Sequence, residues 1–160
     1  MRVQRFTFAG VEALEGRRML AADLVVQWNN VLLDTIRTAR TSPPYAARNM
    51  AIVQTAVYDA VKRLDGGRKT DRAASESAAA AQAAHDTLAA LYPALKETFD
   101  AALTSSLASI PDGKAQDKGV AAGAHAAERE LKKRASDGAD AVVDYTPGTG
   151  PADWQPTPPG

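Results

Sequence analysis

The sequence predicts an all-α protein: a bundle of about five helices with a disordered N-terminal leader in front and a proline- and glycine-rich tail behind. Three observations lead there. Apolar residues recur at helical spacing in five successive segments. Proline and glycine breakers separate those segments. No stretch alternates apolar and polar residues as a half-buried strand does.

Residues 1–22 read as a leader outside the fold. Arg2 and Arg5 precede a short mixed stretch, and Glu12, Glu15, Arg17 and Arg18 follow. Those charges interrupt the apolar region of ~7–15 residues that a secretory signal requires. Asp23 is placed to cap a first helix over about 24–40, where Leu24, Trp28, Val31, Leu32 and Ile36 form one apolar stripe. Thr41-Ser42-Pro43-Pro44 ends it. Ser42 suits a cap, and proline suits the first turn of a second helix over about 44–64. Met50, Val53, Val57, Ala60, Val61 and Leu64 line the apolar face of that helix, and Gly66-Gly67 terminates it.

A third helix, about 73–92, is mostly alanine, with Leu88 and Leu91 as larger anchors. Pro93 opens a fourth, about 94–109, with Leu95, Phe99, Leu103 and Leu107 in register. Ile110-Pro111-Asp112 separates it from a fifth, about 113–136, striped by Val120, Ala124, Ala127 and Leu131. Gly119 and Gly123 lie one turn apart on this helix, which lets another helix approach closely. Asp137-Gly138 closes it. The helical domain therefore spans 23–138, and 139–160 reads as an extended linker. Five of the nine prolines fall between Pro147 and Pro159, and Trp154 sits among them, off any helical stripe.

Composition narrows the function classes. Lysine plus arginine equals aspartate plus glutamate, so nothing suggests steering toward nucleic acid. There is no cysteine, which removes disulfides, thiolate metal sites and cysteine nucleophiles. No apolar run approaches the ~20 residues of a transmembrane helix. Alanine supplies 34 residues, whereas Leu, Ile, Val and Phe together supply 29. Alanine favours helix strongly but buries little area. The helices are expected to form readily and to lean on something else, either further chain or a partner, a second copy included.

The chemistry-bearing residues are sparse. His85 and His125 each lack a second histidine three or four positions away, so no zinc pattern is present. Asp86 adjoins His85 and Glu128 follows His125, but such pairs are common on helices; both histidines read as structural or surface residues. No Gly-x-Ser-x-Gly elbow, phosphate-binding loop or dinucleotide fingerprint occurs. Asp112-Gly113-Lys114 lacks the acidic ligands of a calcium loop. Lys132-Lys133-Arg134 complements a helix C-terminus. No catalytic, cofactor-binding or metal-ligating residue is assigned. The most informative polar residues are Arg48, Asn49, Thr55 and Asp59 on the second helix, with Tyr58 beside them. They form either a solvated face or a buried polar set that fixes helix register, and a buried set requires partners.

Two resemblances add to this reading. Leu14-Glu15, Arg17 and Met19-Leu20 resemble the LEPR-XLL motif of large, apparently exported bacterial proteins, with Gly16 in place of proline. That likeness implies export. Trp28-Asn29, Pro43-Pro44 through Arg48-Asn49 and Tyr58-Asp59-Ala60 resemble the N-terminal helical region of bacterial vanadium-dependent haloperoxidases and PAP2-type acid phosphatases. So do Ala83-Ala84-His85, Leu91-Tyr92-Pro93, Ile110-Pro111-Asp112-Gly113, Arg134-Ala135-Ser136-Asp137-Gly138, Tyr145-Thr146-Pro147-Gly148 and Trp154-Gln155-Pro156. The likeness covers about residues 24–160.

In that family a vanadate or phosphate is held by lysine, arginines, serine and glycine amides beneath an apical histidine. The signatures Lys…Arg-Pro, Pro-Ser-Gly-His and Ser-Arg…His do not occur in this sequence, so no catalytic residue carries over. The resemblance implies a scaffold, inactive by itself and without cofactor, whose partner is a C-terminal catalytic domain of the same protein. Trp154 and its prolines are then expected to dock on that domain. The competing expectation is a stand-alone helical binding or structural protein.

Overall fold

The computed structural model describes the backbone of residues 9–64, 69–144, 146 and 148–154, with side chains for 24–64, 71–144, 146 and 148–154. Five α-helices follow one another: α1 Ala9–Thr38, α2 Pro43–Lys62, α3 Lys69–Leu91, α4 Lys96–Ala108 and α5 Lys114–Arg134. A single 3-10 turn, Pro93–Leu95, leads into α4. No strand occurs among the described residues, so the all-α, five-helix expectation holds.

The alanine-rich third helix is the hub, and each of the other four helices packs against it. Ala78, Ala79, Ala80, Ala81, Ala83 and Ala84 are all buried, and Ser75, Ser77, His85, Thr87 and Leu88 extend that burial around the helix. A helix buried over most of its circumference has to be slim if its neighbours are to meet around it, and alanine and serine keep it slim. The buried hydroxyls are satisfied locally. Thr87 Oγ1 donates to the Ala83 carbonyl at 2.6 Å, and Ser75 Oγ to the Arg72 carbonyl at 3.0 Å.

Helix α5 comes closest to this hub. A Cβ on Gly123 would stand 2.6 Å from the Ala79 carbonyl oxygen and 2.7 Å from Gln82 Cβ. One on Gly119 would collide with the Ser75 carbonyl. The paired glycines thus serve the close approach expected of them, and the two backbones touch directly. Larger side chains fill the wider spaces: Trp28 and Leu32 from α1, Val53 and Val57 from α2, Leu88 from α3, Phe99 from α4. A second, smaller cluster joins Leu24, Ala78 and Ile110.

The ends of the elements follow from local chemistry. Ser42 holds the cap position of α2 in extended conformation but makes no side-chain cap bond. The two prolines after it carry no N–H, so the nearest capping donors are missing. Arg40 ends α1 at φ 49, while Thr41 N–H reaches back to the Ile36 carbonyl. That is a Schellman-type close with arginine where glycine is usual.

Asp23 corrects the sequence reading. It is not an N-cap, because α1 already begins at Ala9 and runs through it. Gly16 alone does not stop a helix flanked by Ala, Leu, Glu, Arg and Met, all good helix formers. The Gly66-Gly67 terminator and the residues beyond 154 lie outside the described residues. From Ala139 to Trp154 the described residues form turns and irregular backbone without helix or strand.

Candidate functional site

Arg48, Asn49 and Asp59 of α2 find partners elsewhere in the chain, while Tyr58 beside them is exposed. Arg48 forks onto Asp137, with Nε donating at 2.9 Å and Nη2 at 3.1 Å. Its Nη2 also donates to the Arg134 carbonyl at 3.2 Å, at the C-terminus of α5. Asn49 is buried, and its Nδ2 donates to the Tyr92 hydroxyl at 3.1 Å. That hydroxyl shares a further hydrogen bond of 3.2 Å with Thr41 Oγ1. Asp59 pairs with Arg129 of α5. Tyr45 donates to the Ala139 carbonyl at 2.9 Å. The set therefore fixes the register of α2 against α5, the α3 end and the chain that follows α5.

These bonds shift two of the ionisable groups. The Arg48 hydrogen bonds, with the Ala139 N–H adding to them, hold the Asp137 carboxyl below the ordinary carboxylate range. Glu130, buried on α5, accepts from Arg134 at 2.8 Å and raises that guanidinium above its ordinary value.

The two histidines differ sharply. His125 is exposed. His85 is almost buried between two carboxylates: Nδ1 lies 2.7 Å from Asp86 Oδ1 and Nε2 lies 2.8 Å from Asp100 Oδ1. Lys96 bonds both oxygens of Asp100 at 2.7 Å. Lys96 first, and then His85, hold the Asp100 carboxyl below its ordinary value. Sequence reading missed Asp100 as the partner of His85 and Tyr92 as the partner of Asn49. The Lys96–Asp100 spacing of four was visible, but nothing local pointed across to α3.

This arrangement does not fit an oxyanion such as vanadate. The cations at these contacts already face carboxylates: Arg48 on Asp137, Arg129 on Asp59, Arg134 and Lys133 on Glu130, Lys96 on Asp100. His85 presents both nitrogens to negative groups, which repel an anion. No group of three His, Asp or Glu side chains able to hold a metal ion occurs among the described residues.

The apolar crevice between α1, α2 and α3, lined by Trp28, Val53, Val57 and Ala80, has a volume of about 10 Å³, room for about one water. The larger grooves are open: about 290 Å³ beside Tyr58, Lys62 and Glu76, and about 190 Å³ beside Leu64, Lys114 and Lys118. No helix among the described residues is long and apolar enough to cross a membrane. Comparison with family models, with curated proteins and with solved structures finds no match to this chain.

Proposed function

We propose that this chain is the N-terminal helical scaffold of a protein of the vanadium-dependent haloperoxidase and PAP2 phosphatase kind, without activity of its own. One observation carries the reading: the residues on which the resemblance rests meet one another in space. Arg48 of the Ala-Arg-Asn segment meets Asp137 of the Ser-Asp-Gly segment, and Asn49 meets Tyr92 of the Tyr-Pro segment. Motif residues as many as 89 positions apart act as fasteners of one bundle. Residues spent on packing serve a scaffold rather than a reaction centre. The following chain would supply the catalytic half, with Trp154 at the junction.

The test is direct. Vanadate titration by calorimetry, followed by bromination and phosphatase assays on the 160-residue chain, is expected to give neither binding nor turnover. Specific vanadate binding or turnover that vanishes on changing His85 or His125 would overturn the reading. Reading the coding DNA past the codon for Gly160 tests the partner. A continuing frame with Lys…Arg-Pro and Pro-Ser-Gly-His supports the scaffold.

One observation favours a second reading, a stand-alone helical binding or structural protein. Arg48, Asn49 and Asp59 of α2 find their partners within the chain. A stop codon after Gly160, together with a cooperative melt of the purified chain, would favour this alternative.

A further inference from the structure

A neutral imidazole carries one N–H and one lone pair, whereas an ionised carboxylate only accepts. Both ring nitrogens of His85 stand within 2.8 Å of a carboxylate oxygen, one on its own helix and one on α4. Each contact is a hydrogen bond only if the ring nitrogen bears a proton. With one proton missing, a ring lone pair faces a carboxylate lone pair at the same distance, and that contact is repulsive. The ring is nearly buried, with a side-chain exposure of 11%, whereas Asp86 and Asp100 are 28% and 45% exposed, so a released carboxylate can turn to water.

We propose that His85 is a proton-gated clasp between α3 and α4: as imidazolium it binds Asp86 and Asp100 together, and as neutral imidazole it releases one of them. The surrounding groups suit this role. From α4 the ring faces Asp100, and Lys96 sits on the other side of that carboxylate. From its own helix it faces Asp86, which Gln82 also bonds at 2.8 Å. Among the described residues, no charged side chain of α1, α2 or α5 is ion-paired with this set. Lys96 first, and then His85, hold the Asp100 carboxyl below its ordinary value, so the acceptor stays ionised at neutral and mildly acid pH. Asp100 follows directly on Phe99, the fully buried apolar anchor of α4. The clasp therefore acts on the seating of the whole helix. The sign follows: the tie is complete at low pH, where imidazole is charged, and weakens as pH rises and the proton leaves.

The proposal does not depend on the scaffold reading. Long-range ¹H–¹⁵N spectra of the full chain report the protonation of each His85 ring nitrogen, and melting curves at pH 5.5 and pH 8.5 report the stability that goes with each protonation pattern. Both ring nitrogens are expected to be protonated at pH 5.5, with a melting temperature a few degrees higher than at pH 8.5. His85→Gln, which hydrogen-bonds but does not titrate, is expected to lose that difference, and Asp100→Asn to reduce it. His125→Gln, at an exposed position, is expected to keep it. A neutral single-tautomer ring at pH 5.5 would overturn the proposal. So would a His85→Gln chain with an unchanged pH dependence. Should His85→Gln not fold, the wild-type spectra and Asp100→Asn decide the matter.

Discussion

Arg48 and Asp137, 89 positions apart, meet in a two-bond fork that ties the first turns of α2 to the chain leaving α5. A planar guanidinium matches a carboxylate in this way, whereas a lysine ammonium cannot. Arg48→Lys is therefore expected to lower the melting temperature nearly as far as Arg48→Ala. Asp137→Asn on top of Arg48→Ala should add little, because the two residues act as one unit. The pH dependence has a definite sign. The Asp137 carboxyl is depressed by Arg48, so its contribution is complete above the ordinary aspartate value of about 3.9. It is lost as pH falls through the lower folded-state value. Acid melts of the wild type and Arg48→Ala should differ least at the lowest pH reached.

Gly123→Ala provides a test of the contact between α3 and α5. Alanine is intrinsically better in a helix by about 1 kcal/mol. Here its methyl would enter a space already held by the Ala79 carbonyl, Gln82 Cβ and the Ala83 amide, all within 2.9 Å. Those obstacles are mostly backbone and cannot swing aside. Net destabilisation of about 2–3 kcal/mol is expected by urea unfolding, because overpacking outweighs propensity. A neutral or stabilised variant would mean that the helices do not approach this closely.

Trp28 Nε1 donates to Ser106 Oγ at 3.2 Å, and that hydroxyl donates in turn to the Ala102 carbonyl at 2.8 Å. Both residues are buried. Ser106→Ala strands an indole N–H and is expected to cost about 1–3 kcal/mol. Trp28→Ala empties a large core position and should cost about 3–5 kcal/mol. Chemical denaturation of both variants checks the order. If Ser106→Ala proved as costly as Trp28→Ala, the indole hydrogen bond rather than the packing of the ring would hold Trp28 in place.

Arg40 offers a stabilising change. Its φ of 49 is left-handed, where a side chain is strained and glycine is not. Arg40→Gly is expected to raise stability by roughly 0.5–1 kcal/mol, after allowing for the greater freedom of glycine in the unfolded chain. Thermal melts would read this as an upward shift, and a downward one would show that the arginine side chain makes a contribution larger than its backbone strain.

Local order alone determined most of the helix map. Pro43-Pro44, Pro93 and Pro111 start or interrupt helices by losing an N–H and fixing φ, and Gly138 turns the chain after α5 at φ 79. Gly119 and Gly123 announced a close neighbour because a missing Cβ is written in the sequence itself. Tertiary structure decided which helix that neighbour was, and it made the alanine-rich α3 the hub rather than a weak member. It also supplied Asp137 for Arg48, Tyr92 for Asn49, Arg129 for Asp59 and Asp100 for His85. These partners lie on other elements, and helical periodicity carries no information about which helix faces which. An arginine at position 48 is compatible with open solvent or with a half-buried fork. Only the packing of α5 against α2 selects between them, because it brings an acceptor to within 3 Å.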